Sequence, residues 1–267
     1  AEARLALQEL SAAAIRRRLA AAAPAGLVGD PVAVAATLEA FDGCCLLRRG
    51  DRIVSSLAPG DPLHAALGTE AALGMLVGAH RAVAATAPAE LVRLLAAERA
   101  TIWVARSEQV AAVADDPGAA ALAAHLAGVV MPIAALADLA AARTAAERFR
   151  AATTVEPVVA YAPPEAGGLV AMNTPPARSG AAQEVTSKPD SVGRVVGGVA
   201  VWPEARTRIR LGLDSLAKAG VPDDSPRSLV IGATLPSPAG VEATAPRCTL
   251  LADAFAVDED GFLVPRG

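Results

Sequence analysis

The 267-residue sequence predicts an α/β fold, with helices over a largely parallel sheet and a β-rich C-terminal part. Three observations carry this prediction. Helix-like and strand-like stretches alternate through residues 20–170, as strands joined by helical crossovers do. The hydrophobic fraction is 53%, enough for a substantial core. Aromatics make up only 3%, so that core packs small side chains and close helix faces.

Residues 1–19 form an N-terminal helical segment, in which Leu7, Leu10 and Ala14 recur at helical spacing. A Pro/Gly break covers residues 24–31, and a helix over 32–41 follows. Residues 52–57 read as a β-branched strand ended by Pro59-Gly60. Helix is predicted over 62–77 and strand over 80–85. Thr86 and Pro88 are the expected cap and first-turn proline of the next helix, whose apolar face carries Leu91, Leu94 and Leu95. A strand at 101–105, helices at 107–114 and 118–126, a strand at 128–131, a helix at 136–150 and a strand at 155–160 complete this region. From 171 to 267 the chain reads as loop and short strands. Residues 173–191 are rich in Pro, Ser and Thr and predict a long loop. Strands are expected at 195–202, 228–232 and 248–257, the last running into the hairpin signal Asp260-Gly261.

Composition narrows the function classes. The net charge is −4, with no basic stripe, which argues against a nucleic-acid partner. No apolar run reaches the ~18–20 residues that span a bilayer, so no membrane partner is expected. Arg16-Arg17-Arg18 before an alanine run mimics a signal peptide, but a polar helix precedes it and alanine makes a poor apolar region. Cys44, Cys45 and Cys248 are odd in number and form no Cys-x-x-Cys pair. They argue against a disulfide framework or a zinc site and for a reducing, cytoplasmic setting.

Three segments carry a resemblance. Tyr161-Ala162-Pro163-Pro164-Glu165 follows a strand and resembles the Tyr-Gly-Pro-Thr-Glu signature of the adenylate-forming superfamily, which includes acyl-CoA synthetases, firefly luciferase and peptide-synthetase adenylation domains. Residues 188–199, with Gly193-Arg194 and Gly197-Gly198, are similar to that family's Gly-Ser-x-Gly-Arg-Pro-x-Pro-Gly stretch. Residues 251–262 resemble its Thr-Gly-Asp segment running into Asp-x-Asp-Gly-Phe. Order and spacing match together. Residues 51–57 resemble the strand leading to the acyl pocket, and 89–105 the helix and strand beyond it. Read back from there, residues 25–34 align without gaps to the family's phosphate loop, keeping Gly26, Gly29, Pro31 and Val34.

The resemblance implies a shortened large N-terminal domain of such an enzyme, and it also exposes departures. The loop hydroxyls of the family fall at Ala25, Leu27 and Val28, and its lysine at Val32. Backbone N–H groups, hydroxyls and a cation hold a triphosphate. Each unmet charged hydrogen bond costs about 1.5–3 kcal/mol. The threonine that contacts the α-phosphate is Pro164 here, without hydroxyl or N–H. The family's adenine-facing glycines fall at Pro132 and Ile133. No counterpart of the C-terminal lid domain with its catalytic lysine is expected. The remnant nucleotide-site positions are therefore Gly26, Gly29, Tyr161, Glu165 and Asp253. Glu165 is the implied metal carboxylate and Asp253 the implied ribose partner. His64 is the remnant acyl-pocket candidate.

These departures imply a non-catalytic homologue, an accessory or interaction protein that keeps an acyl-sized pocket, with no catalytic residue and no cofactor. Two other readings stay open. One is an enzyme acting on a carboxylic acid or acyl thioester without ATP. The other is a half-enzyme completed by a partner chain, which alone would call for Mg-ATP or AMP. Incomplete sheet edges suggest another protein or self-association as partner, and the pocket suggests an acyl or carboxylate small molecule. Of the remaining candidates, His80 and His125 read as surface or packing residues, and Trp103 and Trp202 as strand core. Ser55-Ser56 lacks the Gly-x-Ser-x-Gly setting of a nucleophile. Cys44-Cys45 reads as a pair of buried small side chains, Gly193 and Gly197-Gly198 as turn glycines, and Arg194 as a salt-bridge partner.

Overall fold

The computed structural model describes residues 31–48, 50–77, 80–84, 87–166, 168–178, 187–196, 199–202, 229–232, 247–250 and 253–265. The N-terminal helix and the phosphate-loop stretch read from the sequence lie outside the described residues, as do Gly197 and Gly198.

In chain order the elements begin with α1 (Pro31–Cys45), β1 (Ile53–Ser55), α2 (His64–Leu67), α3 (Glu70–Val77), β2 (His80–Ala82), α4 (Pro88–Ala97), β3 (Ile102–Val104) and α5 (Ser107–Ala114). A 3-10 turn at Ala119–Ala124 leads to β4 (Gly128–Ile133), α6 (Leu139–Thr153), β5 (Pro157–Tyr161), β6 (Ala171–Met172) and β7 (Arg194–Val195). Then come β8 (Val199–Trp202), β9 (Leu229–Gly232), β10 (Arg247–Leu250), β11 (Phe255–Val257) and β12 (Leu263–Pro265). The main sheet has the order β2-β1-β3-β4-β5-β6-β7. β2, β1, β3, β4 and β5 are parallel, and β6 and β7 join antiparallel. β10, β9 and β8 form an antiparallel sheet, and β11 with β12 the hairpin that Asp260-Gly261 signalled.

Alternation along the strands sorts side chains into two cores. Val54, Trp103, Val129, Met131, Val159 and Tyr161 face α4, α5 and α6, where Leu95, Val110 and Phe149 meet them. Ile53, Ile102, Val104, Val130, Val158 and Ala160 face α1, α2 and α3, with Leu38, Phe41, Leu67 and Leu73. Burying each of the larger aliphatic side chains is worth about 1.5–3 kcal/mol. β4 and β5 are buried along their whole length, as central parallel strands require.

Boundaries differ from the sequence reading where local chemistry intervenes. The single helix expected over 62–77 is two, α2 and α3, separated at Gly68-Thr69. The 118–126 segment is a 3-10 turn rather than an α-helix. The strand expected over 248–257 is the end of β10 plus β11, in two different sheets. The N-cap of α4 is Ala87, without a side-chain hydrogen bond, while Pro88 does occupy the first turn.

The region read as a long loop contains the pin of the sheet's first half. A 3-10 turn at Pro176–Arg178 buries Arg178. Its guanidinium donates to the carbonyls of Cys45 (3.0 Å) and Leu46 (3.2 Å) at the end of α1. It also grips Asp51 through both terminal nitrogens, and both side chains are only 5% exposed. Asp51 in turn accepts from the Arg48 N–H (2.6 Å) and from Thr101 Oγ1 (3.0 Å). One ion pair thus joins α1, the lead into β1, the start of β3 and the loop after β6. Burial raises the Asp51 pKa, but the hydrogen bonds from Arg178, Arg48 and Thr101 outweigh it, and the group titrates below its ordinary 3.8. A lowered native pKa contributes stability above the unfolded value of about 4 and loses it as pH falls through the native value.

Gly193, just before β7, has φ +106, and a Cβ there would lie 2.0 Å from the Met172 carbonyl carbon. A G193A variant is expected to lose at least about 2 kcal/mol, from strained backbone and overpacking, measured by urea denaturation. Breaking the buried pair with D51N leaves Arg178 without its anion and should cost about 3–5 kcal/mol at pH 7 in the same assay. The variant's stability should also fall less steeply than wild type below about pH 4.

Candidate functional site

In an open parallel sheet, ligand crevices lie beyond the carboxyl ends of the strands. Here a polar network occupies that end of β1, β3 and β4. Ser56 follows β1, and its N–H bonds the Val104 carbonyl (2.9 Å), so the segment stays paired one residue past the strand. Its hydroxyl accepts from Trp103 Nε1 (3.1 Å) and donates to Gln109 Oε1 (3.0 Å). Gln109 Nε2 donates back to the Ser56 carbonyl (3.0 Å), and Gln109 Oε1 accepts the Arg106 N–H (3.1 Å) at the start of α5. Ser56 is 1% exposed, and its hydroxyl is engaged in these bonds.

Arg106 reaches across the crevice. Its Nη1 donates to the Pro132 carbonyl (2.8 Å), and its Nε pairs with Asp61. This contact explains how a proline sits inside β4. The Val130 carbonyl pairs with Ala105 on the β3 side, and the Ile133 carbonyl with Ala162 on the β5 side. Pro132 therefore faces β3 just where β3 has ended, so its missing N–H costs no ladder bond. Arg106 serves the remaining carbonyl. Pro132 and Ile133, which stand where the resembled family has glycines, extend the strand and pair with Ala160 and Tyr161.

The Asp61 side chain is 2% exposed. Oδ1 accepts the Leu63 N–H (2.8 Å). Oδ2 pairs closely with Arg106 Nε. Burial pushes its pKa above the ordinary 3.8, against the pull of the Leu63 N–H and Arg106. His64 opens α2 beside it, half-buried, with Nδ1 3.1 Å from the Leu57 carbonyl. Only a protonated nitrogen bonds a carbonyl, so Nδ1 is the donor.

The second cluster joins β5 to the C-terminal hairpin. The Tyr161 hydroxyl donates to Asp253 Oδ2 (2.7 Å), and the Leu136 N–H donates to the same oxygen (3.1 Å). Tyr161 is fully buried and meets the Phe255 ring edge-on, with centroids 5.1 Å apart. Glu165 lies in the 3-10 turn Pro164–Ala166 directly after β5. The structure thus joins two residues picked from sequence, Tyr161 and Asp253. It places His64 in the other cluster, and Gly26 and Gly29 lie outside the described residues. Among the described residues no three His, Cys, Asp or Glu side chains gather as a metal set. Cys45 is fully buried, and burial pushes the Cys44 thiol up to about 11, so both stay protonated.

Solved structures share this fold. Malonyl-CoA ligase in a ternary product complex with methylmalonyl-CoA and AMP superimposes with a TM-score of 0.61 at 21% identity, covering 91% of this chain and 49% of that one. The fold is that of acyl-CoA ligases. ATP-bound MatB from Rhodopseudomonas palustris gives 0.61 at 14% identity, covering 90% of this chain and 44% of its own. Benzoate CoA ligase from Burkholderia xenovorans LB400 gives 0.59 at 17%, covering 91% and 46%. The chain thus spans less than half the length of each of these three ligases. No family model and no curated protein matches the sequence. Among the described residues no helix is long and apolar enough to cross a membrane.

Asp61, Arg106 and Gln109 carry no sequence signal of their own; only the strand ends bring them together. The Tyr161–Asp253 bond ties hairpin to sheet, and a hydrogen bond to a charged acceptor is worth about 1.5–3 kcal/mol. Y161F should lower thermal stability by that amount, while D253N, which keeps an acceptor for Tyr161, should lose less.

Proposed function

We propose that this chain is a non-catalytic homologue of the AMP-forming acyl and carboxylate ligases, an accessory or interaction protein that keeps the acyl pocket. The Tyr161–Asp253 hydrogen bond is the observation that carries the reading. One oxygen of Asp253, the implied ribose partner, already accepts from Tyr161 and Leu136. The Tyr161 ring has no exposed face on which a base could stack. Leu27, Val28 and Val32 add apolar side chains where the resemblance puts phosphate donors, and Pro164 withholds another. Losses at several points around one ligand favour abandonment of that ligand over tuning of its affinity. Gly26, Gly29 and Glu165 are then inherited positions without a present nucleotide or metal role. His64 stays the candidate for the acyl pocket.

Calorimetry and thermal shift with Mg-ATP and AMP test this. A ligand at 100 times its dissociation constant stabilises a fold by about 2.7 kcal/mol. The reading expects no heat and no shift at millimolar nucleotide. Magnesium-dependent ATP capture, or pyrophosphate release with a carboxylic acid, would sink it. Nucleotide capture only after a lid-bearing partner chain is added would replace it with the half-enzyme reading.

A further inference from the structure

The two edges of the main sheet are finished differently. Beside β7 the chain covers its own ladder: the Val192 N–H donates to the Leu263 carbonyl (3.0 Å), and the Leu263 N–H to the Gly193 carbonyl (2.9 Å). At the other edge β2 pairs with β1 alone. The Val83 N–H donates to the Ser55 carbonyl (2.9 Å), and alternate residues of a strand turn their backbone to the same neighbour. Arg81 and Val83 therefore serve β1. The N–H and C=O groups of His80 and Ala82 point away from the sheet, without a backbone partner among the described residues. The same edge is basic. Arg48, Arg52, Arg81 and Arg99 are exposed around it, against Glu98 and the half-buried Asp42, in a chain of net charge −4. Glu98 accepts Arg52 Nη2 on one oxygen and Arg81 Nη1 on the other, each at 2.7 Å, so one carboxylate aligns two guanidiniums. Nη1 of Arg52 and Nε and Nη2 of Arg81 keep free donors among the described residues. Arg99 directly follows Glu98, its N–H held by the Ala96 carbonyl (3.0 Å), and the Arg48 N–H is held by Asp51 (2.6 Å), so these side chains project from fixed backbone.

We propose that the β2 edge is a docking site for an extended, acidic segment of a partner protein, which adds a strand beside β2 and meets these arginines with its carboxylates. The proposal rests on the interaction-protein reading above and names the chemistry of the partner. His80 and Ala82 supply the main-chain bonds that hold an added strand. Arg81 supplies selection. It shares its register with Val54 and so lies on the α4 side of the sheet, where every second side chain of an added strand would stand beside it. An open edge invites extended peptides in general, and a charge placed on it restricts which of them stay. Two copies of this chain joined through β2 would set arginine against arginine, which disfavours self-pairing at this edge. Arg52 and Arg99 extend the attraction along the strand starts, and their field steers an acidic segment towards the edge in a salt-dependent way. A polyphosphate would satisfy the arginines and leave the backbone of His80 and Ala82 unused, whereas a peptide satisfies both.

Fluorescence anisotropy on the full chain tests this with a labelled peptide of alternating valine and glutamate. The comparison probes are the same peptide with glutamine for glutamate, the glutamate peptide N-methylated throughout, and a labelled oligothymidylate. At low salt the glutamate peptide should bind about tenfold more tightly than the glutamine peptide, and added salt should erase the margin. The R81Q/R99Q double variant should shrink that margin to about twofold. The N-methylated peptide keeps its charge but has no backbone donor, and it should not bind. A82P removes an outward N–H without touching the ladder to β1, and with its fold confirmed by circular dichroism it should lose the glutamate peptide. Should A82P not fold, the N-methylated peptide decides the same point on the unaltered chain. Equal binding of the glutamate and glutamine peptides, undiminished binding after N-methylation, or tighter capture of oligothymidylate than of the glutamate peptide overturns the proposal. ATP capture in the preceding experiment would sink the non-catalytic reading and leave peptide binding standing, so the two failures are separable.

Discussion

A buried guanidinium organises the first half of this molecule. Arg178 comes from the turn after β6, bonds the carbonyls at the end of α1, and through Asp51 joins the lead into β1 to the start of β3. Two charges that are 5% exposed are costly to bury, and full pairing is what makes the burial tolerable. The orphan carbonyls at the end of α1 are satisfied by the same group. Register of β1 against β3 therefore depends on a residue more than 120 positions away in sequence. The crevice network inherits that register, because Ser56 and Arg106 directly follow those two strands.

The crevice and the hairpin cluster solve opposite problems. At the hairpin, every polar atom of Tyr161 and the shared oxygen of Asp253 find a partner, and the rings of Tyr161 and Phe255 seal them. A satisfied, closed network of this kind rigidifies and specifies a contact. At the strand ends, Asp61 and Arg106 form an ion pair whose arginine side stays partly exposed. The molecule thus keeps a partly exposed charged pair at the strand ends and a fully buried polar contact at the hairpin.

Much of the fold was legible in the sequence, because steady alternation and buried β-branched runs leave few alternatives. β1 through β5 fell close to their expected places, and Asp260-Gly261 marked a real hairpin. Arg178 was not legible: it sits in a Pro/Ser/Thr-rich stretch that signals loop, and nothing local says that a loop arginine will be buried. The break between α2 and α3 was missed because Gly68 alone does not end a helical pattern. Of the site, Tyr161 and Asp253 were found through resemblance and do meet. The resemblance offered glycine positions at Pro132 and Ile133, and only the β5 pairing reveals them as strand. Asp61, Arg106 and Gln109 come from three unremarkable surface-like contexts, and sequence spacing gives no hint that strand ends will collect them.

Pro132 has a consequence for the solubility of the chain. β4 runs past the end of β3, which leaves a short length of unprotected ladder on that side. An ordinary residue there would show both a donor and an acceptor to any extended peptide that drifted in. The imino acid shows only its carbonyl, and Arg106 already covers that. A foreign strand finds no free donor or acceptor at this step of the ladder, so the sheet does not extend there by edge pairing.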